Sequence, residues 1–397
     1  MTDRTALTWA DLGETYDGPH ATPRRVNKGP FFLNISSLNS GRLDLSQSDH
    51  VSDEEFVKWT RRVTPQENDL LFSYETRLGE AALMPGGVKA CLGRRMALLR
   101  PDPDVIHPRF LLYYYLSPTF QQLIDQNTIH GATVNRISLS TMGSWPVEIP
   151  SIQVQEAIAE VLGALDDKIA ANTKLGHAVE AFGSAKFTRL GLDVEPTGEG
   201  ILLDDLFHLN PRRTVASDTP TIIDMKALPT AGPLVEEWTT GSRKGGARFK
   251  NGDTLVARIT PCLENRKTAF VDFLDDEEVG IGSTEFIIMR SKNDLPLGLS
   301  YFMAISDRFR DFAIQNLVGT SGRQRVAAAD LARHALSPVD VSELQEFGKW
   351  ADENLKFLGS LREENRTLAE IRDALLPQLM SGKLRVKDAE KIVEDNL

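Results

Sequence analysis

Apolar positions along this chain follow two periods. Short runs dense in branched and aromatic residues alternate with stretches in which apolar residues return every three or four positions. Asn68-Asp69-Leu70-Leu71-Phe72-Ser73 predicts a strand, and Gly252-Asp253-Thr254-Leu255-Val256-Ala257 predicts another. Met96-Ala97-Leu98-Leu99-Arg100 recurs in kind as Phe286-Ile287-Ile288-Met289-Arg290. Residues 108–127 and 296–316 each predict one amphipathic helix, carrying Phe120 and Leu123 in the first and Phe309 and Phe312 in the second. A Gly-rich loop follows each helix, over residues 131–137 and 319–326. Each half then closes with an extended piece and a proline, at Pro150 and Pro338, before a long helical pattern.

The pattern is one repeat with a period of roughly 190 residues, and such self-similarity dictates architecture before any local detail. The expected fold class is α+β, with two similar mixed α/β domains separated by two long helices paired as an antiparallel coiled coil. The expected divisions are a first domain at 1–150, a long helix at 151–190, a linker at 191–200, a second domain at 201–340, a second long helix at 341–385 and a fraying tail at 386–397. In the first helix Ile158, Leu162, Leu165, Ile169, Leu175, Val179 and Phe182 mark the stripe; in the second Phe347, Ala351, Leu355, Leu358, Leu361, Leu368, Ile371 and Leu375 do so. Steps averaging about 3.5 residues fit a coiled-coil seam. Each stripe holds one asparagine, Asn172 or Asn365, which either fixes pairing register from inside the seam or lies just off it in water.

Composition narrows the class. The 397 residues exceed what one core usually holds. Cys91 and Cys262 lie far apart and suggest neither a disulfide framework nor a Cys-based metal site. The first residues lack the pattern of a signal peptide, and no apolar run is long enough to span a bilayer, so a cytoplasmic protein is expected. The net charge of −11 argues against a general nucleic-acid coat, yet charge is segregated. Between Gly241 and Lys267 the basic residues Arg243, Lys244, Arg248, Lys250, Arg258, Arg266 and Lys267 face only Asp253 and Glu264.

Two like heads at a fixed separation suit a polymer with a regular pitch, and duplex DNA is such a polymer. A helix of about thirty-five residues at ~1.5 Å rise spans on the order of 50 Å, about one and a half turns of B-DNA. Here the sequence resembles a known family. The stretch from Ile149-Pro150-Ser151-Ile152 through Gln155-Glu156-Ala157-Ile158 to Asp166-Asp167-Lys168-Ile169 and Asn172 is similar to the central conserved region of type I restriction-modification specificity subunits. Leu375-Leu376-Pro377-Gln378-Leu379-Met380-Ser381-Gly382 is similar to that family's C-terminal signature. Residues 68–79 and 131–137 fit its target-recognition domains. The second helix departs at its start, where Gln345-Glu346 lacks the Pro-rich approach.

The resemblance implies two target-recognition domains that read a split double-stranded DNA sequence across an unread spacer. It implies docking of two DNA adenine methyltransferase subunits and of restriction-translocase subunits, with no membrane partner. Methyl transfer from S-adenosylmethionine, ATP hydrolysis and magnesium-dependent cleavage would reside in those partners, and this chain would hold no cofactor. A coiled-coil adaptor that joins proteins without reading DNA is the alternative.

Arg grips guanine and Asn or Gln grips adenine in the major groove, while Gly-rich backbone lets N–H groups approach phosphate. The candidate DNA contacts are therefore Asn135 and Arg136 in the first loop and Arg323, Gln324 and Arg325 in the second. Tyr74 and Arg77 after the first strand, Arg258, Arg266 and Lys267 after its counterpart, Arg94 and Arg95, and the Arg243-Lys244 loop join them. Each alone also fits a solvated charge.

Catalytic signals are missing from the sequence. No Gly-x-x-x-x-Gly-Lys-Ser/Thr loop occurs, and the seven histidines show no metal-ligand spacing. Asn210-Pro211-Arg212-Arg213 lacks the second proline and the stacking aromatic of an adenine methyltransferase motif and is read as a turn. Asp166-Asp167-Lys168 falls inside the proposed coiled coil, where charges flank the seam. No catalytic or metal residue is assigned.

Overall fold

The computed structural model describes residues 4–131, 133–196, 200–243, 245–292, 294–320 and 322–396. It divides into two compact units. One holds the residues up to Lys168 and those from Leu368 onward; the other is Ile169–Thr367.

In the first unit the strands are β1 (Gly13–Asp17), β2 (Leu70–Ser73), β3 (Ala81–Leu83) and β4 (Met96–Pro101), hydrogen-bonded antiparallel in the order β1-β4-β2-β3. Both faces of this sheet are covered. Leu71, Ala82, Met96 and Leu98 point into one cluster with Leu33 and Leu92. On the opposite face Phe72 meets Trp9 and Tyr115, and the Phe120 ring packs tilted against that group. Covering on both sides explains why the strands read as unbroken apolar runs. The first head closes where Arg4–Thr8 pairs antiparallel with Pro146–Pro150.

The predicted single helix at 108–127 is two: α1 (Pro108–Leu116) and α2 (Pro118–Gln126). Ser117 leaves helical backbone at φ −66 and ψ 150, its Oγ accepts from Phe120 N at 3.4 Å, and Pro118 occupies the first helical position. Proline excludes the preceding residue from helical geometry, so the break was written in Ser117-Pro118. A long helix, α3 (Ile152–Arg189), begins in this unit.

The second unit repeats the plan. Strands β5 (Phe207–Leu209), β6 (Thr254–Ala257), β7 (Thr268–Phe270) and β8 (Phe286–Ser291) run antiparallel in the order β5-β8-β6-β7. Leu255, Ala269, Phe286 and Ile288 pack to one side; Val256, Phe270, Ile287 and Met289 pack to the other. The helix expected at 296–316 again splits, into α4 (Leu299–Ile305) and α5 (Asp307–Gln315), at Ser306, whose Oγ caps Phe309 N. This head closes where Ile201–Leu202 pairs with Ala335–Leu336. The two heads thus share strand order, covering helices and closure.

The second long helix, α6 (Val341–Ser381), lies antiparallel to α3. Within Ile169–Thr367, Phe187 meets Phe347 at 5.6 Å between ring centroids, Phe182 meets Trp350 at 5.7 Å, and Asn172 reaches Asn365. Within the other unit Arg372 Nη1 donates to Asp166 Oδ1 at 2.7 Å.

Three expectations need correction. The α3 stripe drifts after Asn172: Leu175 and Phe182 are exposed, while Gly176 and Gly183 face α6. At Gly183 an added Cβ would stand 2.4 Å from the Phe302 ring and 2.8 Å from Trp350, so glycine is what lets those rings close on the helix. The second long helix ends at Ser381, short of the expected 385, because Gly382, at φ 71, stops it. The tail does not fray throughout, because Val386–Glu394 forms a helix, α7, with Ala389 and Val393 buried. The linker stretch 197–199 lies outside the described residues. Among the described residues no helix is long and apolar enough to cross a membrane.

Candidate nucleic-acid interface

Three segments meet at the end of the central sheet in each head. In the first, Tyr74 N donates to Arg95 O at 3.2 Å, Ile137 N donates to Tyr74 O at 2.8 Å, and Thr76 N donates to Asn135 O at 3.0 Å. In the second, Arg258 N donates to Glu285 O, Val326 N to Arg258 O and Thr260 N to Gln324 O, each at 3.0 Å. The correspondence is residue for residue. Tyr74 matches Arg258, Arg95 matches Glu285, Asn135 matches Gln324 and Arg136 matches Arg325. Each loop is also pinned as a narrow hairpin, by bridges Ile129↔Arg136 and Glu75↔Arg136 in one head and Val318↔Arg325 and Ile259↔Arg325 in the other.

The same frame carries opposite charge arrangements. In the first head Arg95, in left-handed backbone at φ 74, extends Nε to Glu75 Oε2 at 3.1 Å. In the second the matching position is the acid: Glu285 receives Arg325 Nε at 2.9 and 3.0 Å and Nη2 at 2.8 Å, with Arg258 Nε at 3.4 Å. The Arg325 guanidinium, with Arg258 behind it, holds the Glu285 carboxyl below the usual carboxylate range. A forked pair of this kind fixes orientation as well as charge.

The structure sorts the sequence candidates by what already holds them. Arg94, Arg136 and Arg323 are exposed and have no ion-pair partner among the described residues. Asn135 is exposed beside Arg136, its Oδ1 3.4 Å from His130 Nδ1, and Gln324 is half-buried. Arg77 is half-tied, donating to Ile35 O at 3.0 Å and to Glu80 at 3.1 Å. Arg243 pairs with Asp224 at 2.8 Å and Arg266 with Asp307 at 2.7 Å. Lys267 donates to the carbonyls of Met225 and Leu228, which makes it a clamp on that segment. Tyr74 is only 5% exposed, and burial pushes its phenol up to about 12, so it packs the junction and offers little surface to a ligand. Lys244 lies outside the described residues. Glu285 is the residue that sequence reasoning missed; setting Arg95 against its counterpart one repeat later would have found it.

Beneath the junction lies a second shared device. Asp69, buried, accepts Arg100 through Nε at 3.0 Å and Nη2 at 2.8 Å. Asp253, fully buried, accepts Arg290 Nη1 and Arg213 Nη2 at 2.9 and 2.8 Å. Each anchors the start of a strand that leads to the junction.

Residues 26–181 match the family described as Type I restriction modification DNA specificity domain. The chain is 24% identical over 208 residues to the specificity subunit of the type I restriction enzyme EcoEI of Escherichia coli, covering 50% of this chain and 34% of that one. It is 23% identical over 205 residues to the EcoAI specificity subunit of the same organism, with the same shares. The match thus spans about a third of the length of these relatives. In fold the chain is similar to the type I restriction-modification S subunit from M. genitalium, with a TM-score of 0.54 and 15% identity over 95% of this chain and 96% of that one.

Proposed function

We propose that this chain is a type I restriction-modification specificity subunit, which recognises a DNA target in two separated pieces, one per head, without performing chemistry itself. The observation that carries this reading is the duplicated junction: one hairpin loop, built twice on one sheet order, each presenting an exposed arginine with no ion-pair partner among the described residues, Arg136 and Arg323. Guanidinium groups held beside an amide side chain suit phosphate contact and base-edge reading together.

In this reading the paired α3 and α6 set the unread spacer and scaffold two DNA adenine methyltransferase subunits, which restriction-translocase subunits then join. S-adenosylmethionine, ATP and magnesium serve those partners. The test is to reconstitute the chain with methyltransferase subunits and map methylated adenines in a host genome. A two-part motif with a constant gap is expected, and binding should weaken steeply with salt. An assembly that binds no DNA, or shows no salt dependence, leaves the protein a coiled-coil adaptor.

A further inference from the structure

Ile129 and Val318 are β-branched side chains left 45% and 73% exposed. One exposed apolar residue needs no explanation. These two occupy the same position in both heads, each exchanging both backbone hydrogen bonds with its loop arginine. Ile129 N donates to Arg136 O at 2.8 Å and Arg136 N to Ile129 O at 3.1 Å; Val318 N donates to Arg325 O at 3.0 Å and Arg325 N to Val318 O at 2.9 Å. Residues directly opposed in an antiparallel pair project from one face with Cβ atoms about 5 Å apart. A branched aliphatic and an arginine therefore project from one face of the hairpin in both heads; Arg136 has no ion-pair partner among the described residues, while Arg325 is forked onto Glu285.

The pairing matches the chemistry of a base step. Arginine takes O6 and N7 of guanine, and the apolar feature that an adjoining aliphatic can meet in the major groove is the C5 methyl of thymine. A side chain with no hydrogen-bonding atom distinguishes thymine by that methyl alone. Single aliphatics flanked by arginines are too small for a protein-docking patch, which would need a contiguous apolar area.

We propose that Ile129 in the first head and Val318 in the second are specificity residues, each touching the C5 methyl of a thymine, Ile129 beside the base engaged by Arg136 and Val318 within the half-site read by its own loop. The inference rests on the DNA-reading function proposed above. The test uses the complete complex with methyltransferase subunits and duplexes of the mapped target in which each thymine in turn is replaced by deoxyuridine. The wild-type complex should lose about fourfold in affinity at one deoxyuridine position per half-site, the worth of one buried methyl. Val318→Ala should already be weaker by a similar factor and indifferent to deoxyuridine at its position, while staying sensitive in the other half-site; Ile129→Ala should show the converse. Both substitutions keep the backbone bridge, and circular dichroism should be unchanged. Wild-type indifference to every deoxyuridine, or undiminished sensitivity in the alanine variants, overturns the proposal while leaving DNA reading intact. A wild-type complex that binds no duplex removes both.

Discussion

Asn172 Nδ2 donates to Asn365 Oδ1 at 3.0 Å, with a second bond to Glu364 at 2.9 Å, from a position on α3 that is only 6% exposed. A buried amide satisfied across a helix pair ties one register of α3 against α6, because a slip by one residue would strand it in an apolar seam.

Replacing Asn172 by Ala should therefore destabilise the Ile169–Thr367 unit by about 1–2 kcal/mol, the worth of a buried hydrogen bond and the partner it leaves unsatisfied. A urea titration of the full chain measures this. The Asn172→Ala, Asn365→Ala pair should cost less than the sum of the single changes, since both remove one interaction. Full additivity would mean that the two amides do not act together.

Asp253 carries a heavier share, being fully buried and bound to two arginines. Asp253→Ala leaves Arg213 and Arg290 without their shared counter-charge, and losses of about 3–5 kcal/mol follow when one side of a buried pair is removed. Reduced soluble yield and a lower unfolding midpoint are expected. Surface Asp224→Ala, which frees only the partly exposed Arg243, should shift the midpoint by well under about 1 kcal/mol.

On DNA, Arg136→Ala should weaken binding and relax one half-site, and Arg323→Ala should do so at the other, by about 1–3 kcal/mol if each grips a base. Arg266→Ala, whose side chain already pairs with Asp307, should change little. Competition binding against duplexes altered in each half-site separates these outcomes. Equal loss at both half-sites from either loop variant would assign the loops to assembly instead.

Acid should destabilise the second unit through His334. Burial, reinforced by the neighbouring Arg308, drives its imidazole down from 6.5 to about 4. The folded state thus holds His334 neutral while the unfolded chain protonates it near 6.5. Its contribution is fully present above pH 6.5 and drains away as pH falls toward 4, by up to about 3 kcal/mol. His334→Gln should flatten this part of the pH–stability curve; an unchanged curve would exclude the histidine as its source.

The twin sheets were legible because their starts carry matching constraints. Asn68 and Gly252 both adopt left-handed backbone, at φ 70 and φ 83, and each precedes a buried aspartate that takes an arginine from the neighbouring strand. Asparagine and glycine are the residues that reach that geometry at low cost, so the likeness shows in residue types even without identity. The α3 seam was less legible past Asn172. Gly183 carries no apolar signal, yet close approach of Phe302 and Trp350 needs its bare backbone, while Leu175 and Phe182, which read as seam residues, stay largely exposed. The junction was half-legible: loop arginines stand out in sequence, but whether a carboxylate already holds them depends on segments far apart in the chain. Glu285 and Arg325, forty residues apart, show this.

The chain enters and leaves each head through adjacent rungs of a short two-stranded ribbon, Arg4–Thr8 against Pro146–Pro150 and Ile201–Leu202 against Ala335–Leu336. A head so attached behaves like a bead clipped shut at its neck. Insertions, deletions or wholesale sequence drift inside the bead leave the neck geometry alone, so one head can diversify while its twin and the stem keep their form.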